Sequence, residues 1–131
     1  MNQMAVWIDS HEARIFHVDA EHFDEASVRS PKQHLHRHQK DQEVRVRNHP
    51  DDERDFFREV SQALAGATAI LVLGPSLTKL HFLRYTQKHD PNLESRIVGL
   101  ETADHPTDRQ IVAHVRSYFH APPNPGSTGS A

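Results

Sequence analysis

Gly74-Pro75-Ser76-Leu77-Thr78-Lys79 sets a tight turn, two hydroxyls and a lysine where an apolar run gives way to a helical pattern. Free backbone N–H groups and the positive end of a helix dipole attract phosphate at such a junction. This is not a Walker sequence, which needs a longer glycine-rich loop ending in Gly-Lys-Ser/Thr. The plainer alternative has Ser76 capping the helix and Lys79 in solvent. Along the same helix, His81, Arg84 and Lys88 stand at i, i+3 and i+7, so they share a face near Leu77. A basic stripe of this kind suits an RNA backbone, with Phe82 or Tyr85 as a stacking platform, or it is simply a solvated face.

A second candidate is His34-Leu35-His36-Arg37-His38. On a strand, alternate residues share a face, so three imidazoles could converge on zinc or another divalent ion and support a metal-dependent hydrolase. No carboxylate lies inside the motif, however, and Lys32, Arg37 and Lys40 repel cations. A basic loop that touches phosphate, extended by Arg45 and Arg47, or a merely solvated loop, fits better, and no metal site is assigned. Glu101, Asp104 and His105 could form an acid/base set, but no nucleophile accompanies them. Capping of the last helix by Asp104 is the better account.

These residues need a frame. Ala69-Ile70-Leu71-Val72-Leu73 reads as a strand buried on both faces, since nothing polar alternates within it. A helix from about Ser76 to His89 follows, then a strand over Arg96 to Leu100. That βαβ unit leaves Gly74 to Lys79 at the carboxyl end of a buried strand, where open α/β sheets place their binding sites. Upstream, Met4 to Asp9, Ala13 to Val18 and a weaker Phe23 to Arg29 read as an antiparallel meander. Residues 30–48 read as a mobile, basic, histidine-rich loop, with Glu43 to Arg47 as a charged edge strand. The first helix should run from Asp51 to Leu64 with Phe56, Phe57, Val60 and Leu64 on its apolar face. The last should run from Pro106 to Phe119 with Ile111, Val112, Val115 and Phe119 buried. The tail, 121–131, is rich in Pro, Gly and Ser and reads as disordered.

A chain of 131 residues fits one domain, here 1–120. It lacks an apolar run near the roughly 20 residues of a membrane span. It contains no cysteine, which excludes disulfides and thiolate metal sites. No signal-peptide pattern opens it, so the expectation is a cytoplasmic protein. The net charge of −3 gives no general affinity for nucleic acid. Charge is uneven, though: residues 1–29 carry six acidic and two basic side chains, while Lys32, Arg37, Lys40, Arg45 and Arg47 face only Asp41 and Glu43 in the next stretch.

Leu73-Gly74-Pro75-Ser76-x-x-Lys79, His89-Asp90-Pro91-x-Leu93 and the run from Arg96 to Asp108 carry a family likeness. The chain resembles the small bacterial proteins described as translational machinery proteins, which are similar to the third domain of archaeo-eukaryotic peptide-chain release factors and of Pelota. The resemblance covers Val6-Trp7-Ile8-Asp9 to about Phe119. It implies a single-domain three-layer α/β/α sandwich with a mixed sheet, like the kink-turn ribosomal-protein fold. Gly-Gly-Gln, the tripeptide of peptidyl-tRNA hydrolysis, occurs nowhere, and no kink-turn-binder signature stands at a matching turn. The expectation is therefore a non-enzymatic, cofactor-free translation module. It would contact ribosomal or other RNA phosphates through Gly74, Pro75, Ser76, Thr78, Lys79, His81, Arg84, Lys88, Lys32, His34, His36, Arg37, His38, Lys40, Arg45 and Arg47. The alternative is an adaptor docking to a translation factor by a sheet edge or the last helix.

Overall fold

The computed structural model describes residues 2–30 and 50–120. The histidine-rich segment with its metal and phosphate candidates, the edge strand over 43–47 and the tail lie outside the described residues. The first three strands are β1 (Gln3–Ile8), β2 (Glu12–Val18) and β3 (Phe23–Arg29), followed by α1 (Pro50–Ala63) and β4 (Ala69–Gly74). Then come α2 (Thr78–His89), the short α3 (Pro91–Glu94), β5 (Ile97–Thr102) and α4 (Asp108–His120).

The strands form one sheet in the order β3-β2-β1-β4-β5. β1, β2 and β3 are the expected antiparallel meander, with Ala5 opposite Phe16 and Glu12 opposite Arg29. β4 and β5 add in parallel, Val6 beside Val72 and Val72 beside Leu100. Having β1 and β4 on its inner positions explains why both read as unbroken apolar runs: each buries two faces. Side chains alternate between two cores. Val6, Ile8, Ile15, Ile70 and Val72 meet Phe56, Phe57, Val60 and Phe82 on one face. Trp7, Phe16, Val18, Leu71 and Leu73 meet Ile111, Val112 and Val115 on the other. The three-layer sandwich with a mixed sheet is thus present, with α1, α2 and α3 on one side and α4 on the other.

Helix ends differ from the sequence expectation for local reasons. α4 starts at Asp108 rather than Pro106 because Thr107 and Gln110 cap it reciprocally. The Gln110 N–H donates to Thr107 Oγ1 at 3.1 Å, and the Thr107 N–H donates to Gln110 Oε1 at 2.9 Å. Asp104, expected to cap, has a side chain that is 95% exposed and lies only beside His105. α2 starts at Thr78 because the first full-turn hydrogen bond runs from the His81 N–H to the Leu77 carbonyl, at 3.0 Å, although Leu77 itself already has helical dihedrals. α3 forms where the chain was expected simply to break: Pro91 occupies its first position and Asp90 Oδ1 accepts from the Leu93 N–H.

Two glycines are required by close approach. A Cβ on Gly74 would sit 2.4 Å from the Ile8 carbonyl oxygen, a backbone atom that cannot swing away. A Cβ on Gly99 would meet the Tyr118 hydroxyl at 2.5 Å and Leu71 Cδ1 at 2.8 Å. Those are side-chain ends, although Tyr118 would lose its hydrogen bond to the Val98 carbonyl. Urea unfolding should therefore show Gly74→Ala to be the more damaging change, toward the upper end of the roughly 1–3 kcal/mol that overpacking costs, with Gly99→Ala nearer its lower end.

Candidate functional site

All three long helices begin at one end of the sheet, where β1, β4 and β5 finish. β3 also ends there, its successor Ser30 donating its N–H to the His11 carbonyl at 2.9 Å. At this end the turn after β4 presents the predicted phosphate residues in a different arrangement. The N-cap position of α2 belongs to Leu77, not Ser76, and no side chain caps it. Lys79 is only 7% exposed, and its Nζ donates to the Ser76 carbonyl at 2.7 Å. In the first turn of a helix, side chains lean toward the N-terminus, so Lys79 folds back onto its own turn. Thr78 is buried as well. Lys79 thus fastens the loop from Gly74 to Ser76, and the picture of Ser76 as cap with Lys79 in solvent gives way to this one.

The rest of α2 divides cleanly. Thr78, Lys79, Phe82 and Thr86 face inward. Leu77, Leu80, His81, Arg84 and Lys88 are exposed on the other side. The structure therefore brings His81, Arg84 and Lys88 together as a surface stripe. It removes Phe82 as a stacking platform, since that ring is fully buried with its centroid 5.5 Å from Phe57. Tyr85 is partly buried, between Phe82 and His89. His81 Nδ1 lies 3.7 Å from Glu53 Oε2 of α1, whereas neither Arg84 nor Lys88 has a carboxylate in salt-bridge range among the described residues.

On the other face a polar network surrounds Trp7, whose indole N–H donates to the Ala103 carbonyl at 3.0 Å. Arg14 lies over the indole at 4.7 Å, binds Asp108 at 2.6 Å and donates to the Pro106 carbonyl at 3.0 Å. His105 packs on Trp7 at 5.0 Å, between Asp9 at 3.7 Å and Asp104 at 3.2 Å. Glu101 meets His114 Nε2 at 2.6 Å beside a cleft of about 250 Å³ floored by Leu73, Ala103, Pro106 and Ile111. Sequence reasoning passed over Arg14 and His114. The available signal for Arg14 was its place at i−2 and i−4 from the inward-facing Phe16 and Val18. Nothing local marks His114, whose partner is on another element. His105 meets Asp104 in the connection before α4, and His114 ties α4 to β5 through Glu101. No group of three metal-ligating side chains occurs among the described residues.

Glu25 on β3 belongs to this network. Desolvation, then the hydrogen bond and the negative charge of Asp108, push its carboxyl up to about 7, with Arg14 opposing. A raised folded value means the native state holds the proton more tightly. The stability from Glu25 is thus complete below its ordinary value of 4.5 and is lost as pH rises through 7. Thermal melts of Glu25→Gln should therefore match the parent near pH 4.5 and exceed it at pH 8. Because Glu25 is exposed along the sheet edge, the gain should stay below about 1 kcal/mol.

With the geometry in place, likeness to known proteins can be stated. No protein-family model matches the sequence, and no curated protein does. Among solved structures, the chain is similar to Archaeoglobus fulgidus Pelota, with a TM-score of 0.63, 15% identity and 90% of this chain covered against 31% of that one. Thermoplasma acidophilum Pelota gives 0.62, 18%, 90% and 32% in the same order. The archaeal translation termination factor aRF1 gives 0.54, 16%, 88% and 33%. The chain therefore has the fold of a release-factor-like domain and spans about one third of the length of these proteins. No helix among the described residues is long and apolar enough to cross a membrane.

Proposed function

We propose that this chain is a translation-associated docking module that works by binding a component of the translation apparatus, the ribosome included, rather than by catalysis. It would be a free-standing counterpart of the release-factor and Pelota domain, as the small bacterial translational machinery proteins are described. The observation that carries the reading is the fold shared over nine-tenths of the chain with Pelota and aRF1. Its support at residue level is the exposed side of α2, where Arg84 and Lys88 have no carboxylate partner among the described residues. The absence of Gly-Gly-Gln fits a module without peptide-release chemistry, acting in the cytoplasm.

Two contact chemistries follow. RNA phosphates would be met by Arg84, Lys88 and the basic residues between Lys32 and Arg47, with Lys79 left out because it is tied to Ser76. A protein partner is favoured by the exposed Leu77 and Leu80 beside Arg84 and Lys88.

Co-sedimentation of the untagged chain with ribosomes, over a salt series with and without nuclease, tests the reading. Association is expected. If RNA phosphates dominate, binding should fall steeply with salt, and Arg84→Ala with Lys88→Ala should flatten the log–log slope by up to about 2, near 0.9 per phosphate contact. A salt-tolerant, nuclease-resistant association would assign a protein partner. Protein that stays at the top of the gradient in every condition would refute the ribosome reading.

A further inference from the structure

The outward side of α2 has a polarity along its length that the basic stripe alone does not describe. Leu77 is 62% exposed and Leu80 36% exposed at the start of the helix, followed by His81, then Arg84, then Lys88 near its end. Their spacing of i, i+3, i+4, i+7 and i+11 keeps all five on one side over roughly 16 Å, at 1.5 Å of rise per residue. Large apolar groups thus lead and unpaired cations follow. Leu77 also fills an N-cap position that favours Ser, Thr, Asp or Asn, and the first turn of α2 carries no acidic residue.

Deepening the docking reading, we infer that this surface binds an acidic, leucine-bearing helical segment of a partner protein. Leucines on the partner would cover Leu77 and Leu80, and carboxylates one and two turns further on would pair with Arg84 and Lys88. Charge complementarity excludes the chain's own undescribed segments as the occupant. Residues 31–49 hold five basic and two acidic side chains, and 121–131 hold none of either sign. The two leucines argue for protein over RNA, because a nucleic-acid backbone has nothing to lay on them; of the two rings that could stack, Phe82 is inside the core and Tyr85 is partly buried between Phe82 and His89.

The test uses the full isotopically labelled chain and an N-acetylated, C-amidated alanine/glutamine peptide. The peptide has leucine at its first and fourth positions and glutamate at its eighth and twelfth. Amide shifts should change over residues 77–88 with a Kd on the order of 0.1–1 mM, the weak end of the affinity scale. The same peptide with lysine for glutamate should bind at least tenfold more weakly. The double variant Arg84→Glu, Lys88→Glu should reverse that preference. Leu77→Ser with Leu80→Ser should lose at least tenfold for the acidic peptide; all four side chains are exposed, so an unchanged amide spectrum elsewhere confirms folding. Absence of shifts, shifts confined to another surface, tighter binding of an RNA hairpin at 77–88, or self-association through these amides would each overturn the inference. Loss of peptide binding with ribosome association intact would remove only this surface. Peptide binding without ribosome association would uphold the surface and count against the ribosome.

Discussion

The Arg14 guanidinium holds the two halves of this fold together. It leaves β2 on the face that α4 covers, sits over the Trp7 ring at 4.7 Å, and spans the Pro106 carbonyl and the Asp108 carboxylate at the entry to α4. With its side chain 17% exposed, it is a largely desolvated charge, and such a charge is tolerated only where hydrogen bonds and a counter-charge answer it. Arginine suits the place better than lysine because a planar fork can stack on an indole and reach two acceptors at once. Its Nε has no partner, so the fit is incomplete, and the placement of α4 relies on the remaining contacts. From this point the polar network radiates: Asp108 is shared with Glu25, and Trp7 is shared with His105 and Ala103.

That fastening explains why the carboxyl ends of the parallel strands form an ordered platform. Trp7 anchors the strand-to-helix connection after β5, Gly74 lets the end of β4 pass against the Ile8 carbonyl, and Lys79 pins the turn that follows. Arg14, Trp7 and Lys79 near this platform are committed to holding backbone carbonyls of the connections.

Much of the fold was legible because its inner strands must bury both faces. The run from Ala69 to Leu73 could be nothing else, and β3 was found at its expected residues, Phe23–Arg29. The site was less legible. Spacing places Lys79 near the turn but does not say which way its ammonium points; the early-turn lean of helical side chains sends it back to Ser76. Thr107-x-x-Gln110 was a readable capping box, yet the helix was expected to begin at Pro106, and Asp104, two residues before that proline, drew the assignment. Arg14 and His114 act through partners 94 and 13 residues away, distances at which sequence spacing carries no geometric information.

The outward side of α2 stands apart from this economy of committed contacts. Leu77 gives α2 no side-chain cap, and its side chain lies outside both cores. Leucine gains only part of its burial on folding in a position it leaves 62% exposed, and covering the remainder against a partner would recover about 1–2 kcal/mol. The same holds for Arg84 and Lys88, which stabilise no described carboxylate and lie beyond any role in the sheet. The docking surface inferred above would account for their exposure. They share a helix with Lys79, so the pinned turn that orders the platform also fixes the register of the surface presented to a partner.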